Sequence, residues 1–238
     1  MRRPSHGGVR FSPTVWMGGL VKREVRVGVL ASGRGSNFEA LWRAQEAGSL
    51  GARLAVLVCD RADAPVLQVA RRLGVPARCI DPGTRRARLP EAVESEIVRA
   101  LQEQRVDLVC LAGFMRIVGR PLLTAFPNAV LNIHPSLLPS FPGLAAPRQA
   151  LEHGVKVSGC TVHFIDAGVD SGPIVAQACV PVREDDDEAS LAARILEQEH
   201  QIYARAVRLW ADGRLQVRGR RASVHEPSPS GHGSNLEA

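Results

Sequence analysis

Asn132 and His134 stand where an apolar run stops, and their types and spacing could do chemistry. Ala129-Val130-Leu131 reads as a buried strand, and residues 135–139, Pro-Ser-Leu-Leu-Pro, form a loop after the polar pair. Two apart on an extended segment, the amide and the imidazole point to the same side. In an open α/β sheet ligands bind beyond the carboxyl ends of the strands, where this pair would sit. An amide donor beside a protonatable ring can stabilise an oxyanion while the ring handles a proton. Alone, an Asn-x-His pair is more often structural. Asp170, in the polar loop 166–173, would alone be a turn aspartate.

The elements around these residues must supply a sheet. Residues 25–31 are β-branched and apolar, a first strand, and run into Ser32-Gly33-Arg34-Gly35-Ser36-Asn37 and a helical stretch over 38–47. A strand, a glycine-rich turn and a helix start together place free backbone N–H groups at one point, a combination that binds phosphate. The turn is neither a Walker A loop nor a GxGxxG fingerprint, and Ser36 or Asn37 could serve as a plain helix cap. Strand 54–59 with helix 64–73, strand 77–80 with helix 89–104, and strand 108–112 follow. Gly113-Phe114-Met115-Arg116-Ile117 then opens at the same sheet edge, as a ligand wall or a simple connection. Beyond the central motif come a short helix over 146–153 and strands over 157–164 and 174–180. The acidic run 184–188 then starts a long helix over 189–210, with Gly213 as its C-terminal cap. This alternation implies an α/β protein: a doubly wound, mostly parallel sheet with helices on both faces and an antiparallel strand in its C-terminal part.

Composition bounds the function. Hydrophobic residues make up 45% of the 238 and aromatic residues 4%, so the core must be aliphatic. Residues 1–24 carry five basic and one acidic side chain, and residues 213–238 four and two. The net charge of +6 therefore lies at the ends, and 21 side chains of each sign cancel across 25–212. A neutral centre with few aromatics for base stacking argues against nucleic acid as a partner. Cys59, Cys79, Cys110, Cys160 and Cys179 have neither CxxC nor metal-site spacing and read as buried free thiols in a reducing compartment. No metal ligand set is clustered. No apolar run nears the roughly 20 residues of a membrane span, and no secretory h-region is present. A cytoplasmic protein without membrane contact is expected. One domain is expected over 25–215, with 1–24 and 216–238 as disordered extensions.

The segments Ser32 to Asn37, Ala112 to Ile117 and Asn132 to Pro139, then Asp170 with Gly172-Pro173, Gln198-Glu199-His200 and Ala211 to Leu215, resemble in order and spacing the phosphoribosylglycinamide formyltransferases. These are folate-dependent enzymes of purine synthesis. The resemblance covers residues 25–215 and implies a Rossmann-like formyltransferase domain. It also implies the reaction: a formyl group passes from the co-substrate 10-formyltetrahydrofolate to the amine of glycinamide ribonucleotide, without a metal, in a monomer or homodimer. By the same resemblance Asn132, His134 and Asp170 are the catalytic trio, and Gly35, Ser36 and Asn37 hold the substrate phosphate. Glu199 contacts the substrate. Met115, Arg116, Ile117 and Val118, with Asp166, Ala167, Gly168 and Val169, form the folate pocket.

The residue types suit that chemistry. Attack of the amine on the formyl carbon gives a tetrahedral intermediate with an oxyanion and an ammonium. Asn132 and the imidazolium of His134 would stabilise the oxyanion, with the opposite charge of Asp170 favouring the imidazolium. A proton must also reach the departing folate nitrogen through Asp170, His134 or a water. Two positions depart from the family pattern: Ala145-Ala146-Pro147, which resembles methionyl-tRNA formyltransferase and occurs in part in formyltetrahydrofolate hydrolases, and the apolar Leu196 ahead of Glu199. Those two enzymes are the neighbouring alternatives. An RNA-binding protein using arginine-rich tails and a plain NAD-binding domain are the alternatives of other classes. His163 reads as a packed strand residue, His200 as a helix-face histidine, and Arg88 as an arginine that could orient folate.

Overall fold

The computed structural model describes residues 23–225. The extension expected at 1–24 therefore lies almost wholly outside the described residues, as do residues 226–238. The first half alternates strictly: β1 (Val25–Ala31), α1 (Ser36–Glu46), β2 (Ala52–Cys59), α2 (Val66–Arg72), β3 (Ala77–Cys79), α3 (Glu91–Glu103), β4 (Leu108–Leu111), α4 (Arg120–Ala125) and β5 (Val130–His134). Then come α5 (Ala146–Glu152), β6 (Val157–Phe164), β7 (Ile174–Pro181), α6 (Glu188–Ala211), β8 (Leu215–Arg218) and β9 (Arg221–Val224). All nine strands join one sheet in the order β3-β2-β1-β4-β5-β6-β7-β9-β8. Strands β1 to β5 run parallel, β6 is antiparallel to both β5 and β7, and β8 is antiparallel to β9.

Period-two alternation divides the apolar side chains between two cores. Val27, Val29, Cys110, Leu131 and Ile133 face Phe38, Leu41, Val66, Ile195 and Val207 on one side of the sheet. Leu30, Val109, Leu111 and Val130 face Ile97, Leu101, Leu122 and Phe126 on the other. Helices α1, α2, α5 and α6 thus cover one face and α3 and α4 the other, the doubly wound arrangement expected. The acidic run starts α6 as expected: Asp187 caps it, accepting from Ser190 N at 2.7 Å, and Arg194 forks onto Asp186 at 2.7 Å through both nitrogens.

The structure corrects the expectation in three places. Helix α4 has no clear apolar period and was not legible. Its amino end is held from outside, by the buried Glu94 of α3, which accepts from Gly119 N at 2.6 Å and Leu122 N at 3.2 Å. A Glu94→Ala variant should lose about 2 kcal/mol, read as a lower urea midpoint at unchanged slope, because a buried and a part-buried donor lose the carboxylate that accepts from them. Residues 216–225, expected in a disordered tail, form most of the β8–β9 hairpin; Leu215, Val217 and Ala222 pack against the core, and Gly219 turns the chain at φ 59°. Cys79 and Cys179 are exposed rather than buried, Cys79 because β3 is an edge strand with every residue exposed.

Candidate active site

The carboxyl ends of β1, β4 and β5 open on one edge of the sheet, and the polar residues collect there. Strand β5 ends on Asn132 and His134, which share a face as their spacing requires. In the antiparallel ladder Asn132 faces His163 and His134 faces Thr161 of β6. The Asn132 amide lies 3.1 Å from His163 Nε2. His163 Nδ1 is 2.9 Å from the Phe164 carbonyl, which can only accept, so Nδ1 carries the proton and Nε2 receives an N–H of Asn132. Burial pushes the fully enclosed His163 ring below its usual pKa, which keeps it neutral in that role. One amide proton of Asn132 remains for a ligand.

His134 is buried and its Nε2 donates to the Phe141 carbonyl at 2.9 Å. Its Nδ1 faces Asp170 Oδ2 at 3.5 Å, and Asp170 Oδ1 lies 3.7 Å from His163 Nε2. One carboxylate therefore stands between two imidazoles. Gly143 N holds it by donating to Oδ2 at 2.8 Å. Asp170 has φ 50°, and Phe141 and Ala145 on the facing loop each have φ 54°; non-glycine residues in the left-handed region concentrate where function holds them. Thr161 fixes the loop behind His134, donating to the Ser136 carbonyl at 2.7 Å and accepting from Leu138 N at 3.0 Å. Loop 166–170 is braced within itself, with Asp166 Oδ1 accepting from Gly168 N at 3.0 Å and Ser171 Oγ at 2.7 Å.

At the end of β1, Gly35 occupies the N-cap of α1 with φ 86° and no side-chain cap. A Cβ there would meet Val66 Cγ2 at 2.6 Å, so α2 packs against the turn only because residue 35 is glycine. Neither Ser36 nor Asn37 caps the helix, and the first-turn N–H groups stay open. Asn37 Nδ2 instead donates to Glu199 Oε2 at 2.7 Å, joining the glycine-rich turn to α6. Burial pushes the Glu199 carboxyl above its usual range, and Asn37 Oδ1 is buried without a partner.

Past β4 the expected wall divides. Met115 is exposed, and its N–H donates to Ser32 Oγ at 2.9 Å. Arg116 turns away to the buried Asp60, Nε to Oδ2 at 2.6 Å, and its Nη1 reaches the Thr84 and Arg86 carbonyls. Ile117 pairs through its backbone with Ala87 and Leu89, which brings Arg88 alongside, and Val118 packs into the second core. A cavity of about 880 Å³ opens here, lined among others by Ser32, Asp60, Arg61, Arg85, Met115 and Arg116. Asp60 Oδ1 is buried beside it without a partner. Elsewhere His153 packs against Phe141 with ring centroids 5.1 Å apart and the rings tilted by 56°, and His200 is a partly buried helix residue whose Nε2 has no partner among the described residues. His163 is packed within β6 as the sequence suggests; what sequence reasoning misses is its contact with Asn132, which only the β5–β6 register sets.

A profile of the formyl transferase family matches residues 25–207. The chain belongs to that family. It is 41% identical over 180 residues to the phosphoribosylglycinamide formyltransferase of Bacillus subtilis, covering 76% of this chain and 91% of that one. It is 44% identical over 196 residues to the trifunctional purine biosynthetic protein adenosine-3 of Drosophila melanogaster, covering 82% of this chain but 14% of that protein. The chain thus spans only a small part of the trifunctional relatives. A solved structure of glycinamide ribonucleotide transformylase 1 from Symbiobacterium toebii superposes with a TM-score of 0.82 at 54% identity, covering 85% of this chain and 95% of that one. Among the described residues, no helix is long and apolar enough to cross a membrane.

Proposed function

We propose that this chain transfers the formyl group of 10-formyltetrahydrofolate to the amine of glycinamide ribonucleotide. The observation that carries the reading is the approach of Asp170 to His134 at 3.5 Å beside an amide, Asn132, with one proton to spare. In this assignment the open N–H groups at Gly35, Ser36 and Asn37 take the phosphate, and Glu199, one side chain away, takes the sugar end of the nucleotide. The free amide proton of Asn132 donates to the formyl oxygen as it gains charge. His134, paired with Asp170, supplies the second stabilising contact. The proton the amine gives up passes by way of Asp170, His134 or a water to the departing folate nitrogen, so that the intermediate collapses to the formylated nucleotide and tetrahydrofolate. Met115 and the loop 166–169 offer the folate its apolar contacts. Ile117 and Val118 shape that wall from behind, and Arg116 with the cavity beyond it receives the distal part. The domain runs from residue 25 through the hairpin that begins at Leu215.

Mixing the protein with both substrates and following folate and formylated nucleotide tests the assignment. Nucleotide-dependent formylation supports it, whereas folate consumed without nucleotide makes the protein a hydrolase. A further expectation concerns Glu199. A Glu199→Gln variant should raise the KM for the nucleotide about tenfold, since a charged acceptor is lost. It should also melt about 3 °C higher without ligand, because it removes a buried charge and gives Asn37 Oδ1 a donor. Burial raises the folded-state pKa of Glu199 above 4.5, so the wild-type carboxyl costs stability only as pH climbs past that value. The gain in melting temperature should accordingly vanish in more acidic buffer.

A further inference from the structure

Tyr203 is fully buried beneath the sheet edge that carries the site. Its hydroxyl lies 3.0 Å from the Leu111 carbonyl and 3.1 Å from the Leu131 carbonyl, so one proton is shared between the ends of two neighbouring strands. These acceptors are not arbitrary core carbonyls. Leu111 is paired with Asn132 in the last register of β4 and β5. The Leu131 carbonyl belongs to the same rigid peptide plane as the Asn132 N–H, so its direction sets how the Asn132 side chain leaves the backbone. Glu199 precedes Tyr203 by one helical turn on the same face of α6. One helix therefore carries both the carboxylate joined to the glycine-rich turn and the strut beneath the amide.

We propose that Tyr203 is a positioning residue for formyl transfer: its hydroxyl fixes the Leu131–Asn132 peptide and sets the Asn132 amide at a fixed distance from Glu199. The proposal rests on the function assigned above and adds a residue remote from either substrate. A buried tyrosine that merely satisfies its hydroxyl would contribute to stability alone. The two roles separate in kinetics.

Tyr203→Phe keeps the ring and deletes the hydroxyl. We expect kcat to fall about tenfold with KM for glycinamide ribonucleotide within about twofold, because the error is in alignment at the reacting atoms. In an Asn132→Ala background the same substitution should change kcat by less than about twofold, since the amide it positions is gone. Equal losses in both backgrounds, or a raised KM at unchanged kcat, would overturn the proposal. A readout free of turnover accompanies the kinetics: the side-chain amide NMR signal of Asn132 should shift in Tyr203→Phe while that of Gln68 stays. A wild-type protein that fails to formylate the nucleotide would strike the assigned acceptor, and the Asn132 signal would still decide the positioning. An unmoved Asn132 signal overturns it.

Discussion

With His134 replaced by alanine, kcat should fall about a thousandfold while the protein keeps its fold. In the proposed mechanism the ring does two things at once: its Nδ1 faces Asp170 at 3.5 Å, and it offers a contact to the developing negative charge. General acid–base roles are worth about 10²–10⁴ in rate, and the loss of an electrostatic partner adds to the deficit. The structural cost is small by comparison, because the only hydrogen bond the ring makes is with the Phe141 carbonyl at the rim of a loop. Stopped assays of formylated nucleotide, with far-ultraviolet circular dichroism on the same sample, separate the two effects. A variant that keeps more than a tenth of wild-type kcat would remove His134 from the chemistry. A variant that has lost its secondary structure would instead show that the ring is needed for folding.

The second large effect is expected at Asp170, from a change of one atom. Asparagine tolerates the left-handed backbone that Asp170 adopts at φ 50°, and its carbonyl oxygen can still accept from Gly143 N. What Asp170→Asn removes is the negative charge between two imidazoles 3.5 and 3.7 Å away. We expect kcat to drop by a few hundredfold. Nucleotide affinity by calorimetry should be unchanged, since the Gly35–Asn37 turn and Glu199 are untouched. A parallel loss of nucleotide binding would mean that the carboxylate holds the loops in place rather than the charges in balance. The comparison with Asp170→Ala sharpens this reading. Alanine deletes the anchor for Gly143 as well, so it should lose affinity where asparagine does not.

These residues were legible in the sequence to different degrees, for physical reasons. Asn132 and His134 stand out because two polar residues of like parity end an apolar strand at the sheet edge, although such a pair alone is more often structural and the surrounding motifs decide it. Asp170 in isolation looked like any turn aspartate. Its partner lies across a crossing that no local pattern encodes, and only the combined motifs of a family picked it out. His163 reads as a packed strand residue, and burial encloses it. Its contact with Asn132 depends on the antiparallel register of β5 and β6, which an alternation pattern cannot supply. The wall after β4 shows a different limit. Met115, Arg116, Ile117 and Val118 are neighbours in sequence, yet Gly113 at φ 70° turns the chain and they diverge to solvent, an ion pair, an edge contact and the core. The hairpin was hidden by composition: Arg218-Gly219-Arg220-Arg221 reads as a basic tail, while the weak alternation of Leu215, Val217, Ala222 and Val224 around it was the usable signal.

The ends of the sheet carry a consequence for how copies of this protein can meet. An open sheet of nine strands has two unpaired margins, and a long flat margin templates association with other chains. Here one margin is β3, three residues long, and the other is β8, four residues long. Each presents an arginine, Arg78 and Arg218, and Arg78 is tied to Glu103 at 2.7 Å. Such short, charged rims offer little backbone for a second sheet to copy. Among the described residues the hairpin thus shields the inner strands from cross-chain pairing, which leaves helix and loop surface as the better ground for contact between copies.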